Sequence, residues 1–162
     1  MKRISLEHMF LRIALALSAR ADCLGRQHGS VIVRDKKILS TGYNGTASGL
    51  PNCTDGGCYR CANRDKFGSG NAFDLCCCLH AEENALNNRQ GSLEDSEVYV
   101  TGVPCMKCAS LMYQAGVRTI HYLVENPEVR MKDEGGQKQW ETILSHFKIY
   151  KYNRKEVEQE QE

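Results

Sequence analysis

A chain of 162 residues with 41% hydrophobic side chains and three prolines is long enough for one packed core and gives little sign of a hinge. Twenty-one Lys and Arg against 20 Asp and Glu leave a net charge of +1, with no clustered basic stripe. That balance argues against a nucleic-acid surface and for a small-molecule partner.

The first 21 residues have a basic start and an apolar stretch, as a secretory leader would. Glu7, His8 and Arg12 interrupt that stretch, and Leu6, Phe10, Ile13 and Leu17 recur on one face of a helix. A packed first helix is the better reading, and no run approaches the ~20 apolar residues of a membrane span. The expectation is therefore a cytoplasmic protein (host cytoplasm if viral) with reduced thiols and no membrane partner. Nine cysteines, an odd number, also leave one over in any all-disulfide scheme.

"SVIV" and "ILSTGY" then read as two strands around the polar reversal "RDKK". Residues 44–75 hold Gly, Asn, Asp, Ser and Cys with no sustained period, a loop length that needs a function or something to hold it. "HAEENALNNR" predicts a helix, "EVYVT" a strand, "CMKCASLMYQAG" a helix ending at Gly116, and "RTIHYLV" a strand. "QWETILSHF" and "KIYKY" add a last helix and strand. Strands alternating with helices predict a layered α/β domain with a mixed sheet over residues 1–152. The charged residues 153–162 are expected to be a disordered tail.

The chemistry gathers in "HAE" and "PCMKC", each opening a predicted helix. Cys105 and Cys108 are three apart, so their sulfurs share one helix face and can share an ion. The partial positive charge of a helix start favours the thiolate a metal needs. With His80 they make three protein ligands, which leaves tetrahedral zinc a fourth position for water. The ion brings the pKa of that water towards ~7. Glu82, two residues beyond His80, is placed to move a proton between that water and a leaving nitrogen. The alternative is a purely structural zinc with Glu82 as a solvated helix residue, but structural sites are normally closed by four protein ligands.

His-x-Glu followed by Pro-Cys-x-x-Cys is the signature of zinc nucleobase deaminases. "GYNG", "CLHAEENAL" and "PCMKCASLMYQAGV" extend the match from about Cys23 to Val124. Over that span the chain resembles the deoxycytidylate deaminase family of the cytidine deaminase superfamily, above all its cysteine-rich fungal, viral and bacterial members. The resemblance implies a three-layer α/β/α cytidine-deaminase-like fold. It implies His80, Cys105 and Cys108 as ligands of a catalytic zinc, and Glu82 as proton shuttle. It implies hydrolytic deamination of dCMP to dUMP with release of ammonia, feeding thymidylate synthesis. It further implies a homo-oligomer, commonly a hexamer, activated by dCTP and inhibited by dTTP, with Mg²⁺ accompanying the allosteric nucleotide. Asn44 would contact sugar or base, with neighbouring glycines admitting the nucleotide. The competing reading of Asn44-Gly45 is a plain hairpin turn. His28 is read as a surface or pocket residue and not as a ligand.

Seven cysteines remain: Cys23, Cys53, Cys58, Cys61, Cys76, Cys77 and Cys78. Packing as small hydrophobes suits Cys77 or Cys78 beside the helix, but not three cysteines in a Gly-rich loop. A structural zinc is the better account. Relatives hold a second zinc with cysteines resembling Cys23 and Cys53; Cys58 and Cys76 are chosen here to complete it, with Cys61 and Cys78 as alternates. Three rival functions stay open: a deaminase of CMP or dCTP, a nucleic-acid-editing deaminase, and a non-catalytic zinc-stabilised binding protein.

Overall fold

The computed structural model describes residues 3–68, 70–124 and 133–159. Helix α1 (Leu6–Ser18) starts at Ser5, whose side chain accepts from the His8 N–H at 3.0 Å. Strands β1 (Gly29–Arg34) and β2 (Lys37–Tyr43) form the expected antiparallel pair. Their turn residues Asp35 and Lys36 both have positive φ, the mirror-image turn that suits strand twist. After the loop come α4 (Ala81–Asn87), β3 (Ser96–Val100), α5 (Met106–Ala115), β4 (Val117–Val124), α6 (Glu134–Leu144) and β5 (Lys148–Asn153). Two single-turn helices, α2 (Tyr59–Ala62) and α3 (Arg64–Phe67), lie within the loop.

The five strands run in the order β2-β1-β3-β4-β5. β1 is antiparallel to both neighbours, whereas β3, β4 and β5 are parallel, so the sheet is mixed as expected. Alternate side chains along a strand face opposite sides, and here they feed two cores. Ile32, Val98, Val100, Ile120 and Tyr122 pack with α4, α5 and α6, while Val31, Val33, Tyr99 and Leu123 pack with α1. The result is three layers, α/β/α. Parallel strands require helical crossovers, and these carry α5 and α6 to one face. The start of α5 therefore falls beyond the carboxyl end of β3, where open α/β sheets place their sites.

Gly42 brings a second helix start to the same place. A Cβ built there would lie 2.3 Å from both the Ala81 carbonyl oxygen and the Ala85 nitrogen. Only glycine lets β2 approach the α4 backbone so closely.

The tail departs from expectation. Residues Arg154–Gln159 form helix α7, and Val157 is fully buried among Phe10, Leu11 and Ala14 of α1. Arg12 Nε donates to the Val157 carbonyl at 2.7 Å, so α1 caps this short helix with its side chain. One buried valine and one arginine outweigh a sequence that composition alone marks as solvated. Residues 160–162 of the expected tail lie outside the described residues. Val157→Ala should lower stability by about 2 kcal/mol through lost burial and a residual cavity. Thermal unfolding should then fall by about 4–8 °C for a domain of this size. An unchanged midpoint would return residues 154–159 to the role of a passive tail.

Candidate functional site

Three side chains from two helix starts converge beyond the sheet. His80 Nδ1 lies 3.5 Å from Cys105 Sγ and 3.4 Å from Cys108 Sγ. Tetrahedral zinc, with bonds of ~2.3 Å to sulfur and ~2.0–2.1 Å to nitrogen, sets its sulfur and nitrogen ligands about 3.6 Å apart. The donor geometry fits that ion, and it identifies Nδ1 as the liganding nitrogen. Cys105 caps α5, its sulfur accepting from the Cys108 N–H at 3.4 Å.

The electrostatics suit a dication. The hydrogen bond from the Cys108 thiol holds Cys105 down to about 4 against the effect of burial, and His80 assists. Cys108 is pushed up, first by its bond with Cys105 and then by burial. His80 is raised, chiefly by Cys105. Glu82, buried at 8% exposure, sits close enough for its carboxylate to act on both His80 and Cys108.

Neighbours that sequence reasoning did not single out fix this geometry. Glu83 Oε2 accepts from the His80 N–H at 2.8 Å, and Glu83 Oε1 pairs with Lys107 Nζ at 2.7 Å. One carboxylate thereby ties the start of α4 to the start of α5. The spacing His80-x-x-Glu83, a capping-box pattern, was the available signal. Trp140 Nε1 donates to the Pro104 carbonyl at 3.0 Å, anchoring α6 to the segment that leads into Cys105. No local pattern announces that contact.

Asn44 and Gly45 do not form a hairpin turn. Gly45 exchanges backbone hydrogen bonds with Leu79 at 3.2 and 2.8 Å, which brings Asn44 beside the approach to His80. The Asn44 amide donates to the Arg26 carbonyl and accepts from the His28 N–H, both at 2.6 Å. One amide hydrogen and one lone pair are left over by these two bonds. His28 Nδ1 meets Thr101 Oγ1 at 3.1 Å on the same wall. Gly42 and Gly45, expected to admit nucleotide, face protein instead. A Cβ on Gly45 would fall 1.8 Å from Asp22 Oδ1.

The remaining cysteines do not sort as expected. Cys23, Cys53, Cys58 and Cys76 form no single group. Cys23 and Cys53 join Cys61 and Cys78 in one quartet, and Cys58 and Cys76 join the same Cys61 and Cys78 in another. Within each quartet all sulfurs lie within 4.8 Å of one another. Cys77 is exposed and donates to the Gly57 carbonyl at 3.2 Å. Burial opposes ionisation of Cys58, yet the backbone N–H groups of Cys61 and Cys77, with the neighbouring thiols, bring it down to about 6. Among the described residues, the buried hydrophobic cluster of this loop consists of cysteines. A structural zinc would contribute favourably to ordering this loop, where apolar contacts are few.

The three-layer mixed sheet with two helix starts converging at its edge is a deaminase fold. It superposes on the dCMP deaminase of cyanophage S-TIM5, solved in complex with dCMP and dUMP, with a TM-score of 0.67 at 24% identity over 94% of this chain and all of that one. Residues 4–124 match the family described as the cytidine and deoxycytidylate deaminase zinc-binding region. The chain belongs to that family. The deoxycytidylate deaminase of Mycobacterium phage D29 is 33% identical over 136 residues, covering 78% of this chain and the whole of that protein. The Schizosaccharomyces pombe deoxycytidylate deaminase is 37% identical over 122 residues, covering 74% of this chain. The chain spans only 37% of that relative's length.

Removing the Glu83 cap should register as stability. Glu83→Ala should cost about 1 kcal/mol, whereas Glu83→Gln, which keeps an acceptor for the His80 N–H, should cost less than half of that. Denaturant unfolding of the two variants checks the order, and equal losses would assign the effect to the Lys107 pair instead.

Proposed function

We propose that this chain catalyses the hydrolytic deamination of dCMP to dUMP with release of ammonia. The observation that carries the reading is a buried Glu82 beside His80, Cys105 and Cys108, a set that among the described residues offers three protein ligands and no fourth. Zinc held by these three residues would supply a Lewis acid and lower the pKa of the reacting water. Glu82 would take one proton from the attacking water and pass it to N3 of the base as the water oxygen bonds to C4. It would then carry the second proton from the new C4 hydroxyl to the exocyclic nitrogen, so that C4=O forms, the C4–N bond breaks and ammonia leaves. A buried carboxylate suits this work because little bulk water competes for its proton. Asn44, with its remaining hydrogen and lone pair, is assigned to the nucleotide, and its bonds to Arg26 and His28 hold it in one orientation.

The choice of dCMP rests on the relatives, whose names specify deoxycytidylate. Release of dUMP feeds thymidylate synthesis. The same reading takes in a cytoplasmic homo-oligomer, a hexamer, activated by dCTP and inhibited by dTTP with Mg²⁺ on the effector; its support is the sequence resemblance. Among the described residues no helix is long and apolar enough to cross a membrane.

Turnover should be measured on dCMP, CMP, dCTP and deoxycytidine, with and without dCTP and dTTP as effectors. The expected result is a preference for dCMP. Glu82→Gln should retain zinc at the three-ligand site and lose about 10²–10⁴-fold or more in kcat, the scale of general acid–base catalysis. Near-normal turnover in that variant would remove Glu82 from the mechanism. A preference for CMP or dCTP would keep the chemistry and change the substrate.

A further inference from the structure

We infer that the loop cysteines form a dinuclear metal–thiolate cluster, two zinc-class ions held by six cysteines with Cys61 and Cys78 bridging. The two quartets identified above share these two residues. Cys23 and Cys53 are terminal on one side, and Cys58 and Cys76 on the other. Sulfurs around one tetrahedral zinc lie about 3.8 Å apart. The Cys58 and Cys76 sulfurs stand 3.7 Å apart. Two separate tetrahedra need eight corners, and six sulfurs supply them when the tetrahedra share an edge. Cys61 and Cys78 are that edge.

Charge and burial favour two ions over one. A single ion in the first quartet leaves the fully buried Cys58 and its neighbour Cys76 facing each other without a ligand role, in a hydrophobic cluster that among the described residues consists of cysteines. Two dications with six thiolates leave a net charge of −2, the same as one dication with four, and every sulfur in the cluster is then a ligand. Backbone N–H groups point at the terminal sulfurs, as they do around thiolate ligands. Leu24 N donates to Cys53 Sγ and Gly25 N to Cys23 Sγ, both at 3.4 Å.

The cluster also reaches the candidate active site through two short links. Cys78 stands two residues before His80. Asp22 Oδ2 accepts from the Cys53 N–H at 3.0 Å, while its other oxygen packs against Gly45, the partner of Leu79. Two ions in the loop thereby brace both sides of the bridge from which α4 starts. The six sulfurs come from residues 23 to 78, so the cluster ties the end of α1 to the start of α4.

The test is a metal count on the full chain, purified reduced and without chelator, by native mass spectrometry. Three zinc ions per chain are expected, and two in Cys105→Ser, which removes a ligand outside the cluster. That variant separates this inference from the catalytic reading, because its cluster count does not depend on turnover. Two ions in the wild type with one in Cys105→Ser would overturn the inference, as would a Cys58–Cys76 disulfide in the purified protein. Substitution with ¹¹³Cd supplies a second readout that needs no variant. Two resonances should split each other through the shared sulfurs, and two uncoupled cluster resonances would also overturn the bridging arrangement.

Discussion

The site depends on one distance constraint met by residues far apart in the chain. His80 must hold a ring nitrogen about 3.5 Å from sulfurs 25 and 28 residues further on. An error of an ångström would leave no common point for an ion. The fold meets this by bringing two helix starts to one sheet edge. α5 starts there because it leaves the carboxyl end of a parallel strand. α4 starts there because Gly42 lets its backbone lie directly on β2. Glu83 then bridges the two starts, accepting from the His80 backbone and pairing with Lys107 of α5.

The long loop is best understood as part of the same constraint. It leads directly into His80, so its disorder would become disorder in the ligand. Its interior holds cysteines where a larger domain would place leucines. Metal–thiolate bonds are short, directional and strong, and under the proposed cluster they would fix a loop too polar to fix itself. Asp22 and the Gly45–Leu79 bridge carry that order to the wall that holds Asn44 and His28. Thus the structural cysteines and the proposed catalytic residues form one continuous arrangement, although none of their side chains is shared.

Much of this was legible in the sequence because period and spacing are local. The apolar and β-branched residues of "SVIV" and "RTIHYLV" give strands, and the alternate side chains of each strand supply two cores. His80-x-Glu82 and Cys105-x-x-Cys108 stood out because the proposed chemistry needs those types at those spacings, and the fold brings His80, Cys105 and Cys108 together. What escaped was long-range. α7 has a single buried apolar residue, Val157, too thin a stripe for any periodicity, and its stability comes from Arg12, 145 residues away. The sharing of Cys61 and Cys78 between two quartets cannot be read from a string, since sequence counts cysteines and geometry pairs them. Asn44-Gly45 has the composition of a turn, but Gly45 pairs with Leu79 instead.

The proposed deamination requires an open metal site, with three protein ligands and one place for solvent, next to a buried carboxylate. Diffraction from crystals of the purified protein at the zinc absorption edge locates the ion directly. An anomalous peak is expected bonded to His80 Nδ1, Cys105 Sγ and Cys108 Sγ, with only a water completing the tetrahedron. A fourth protein side chain on that ion, or no zinc between these three residues, would contradict it.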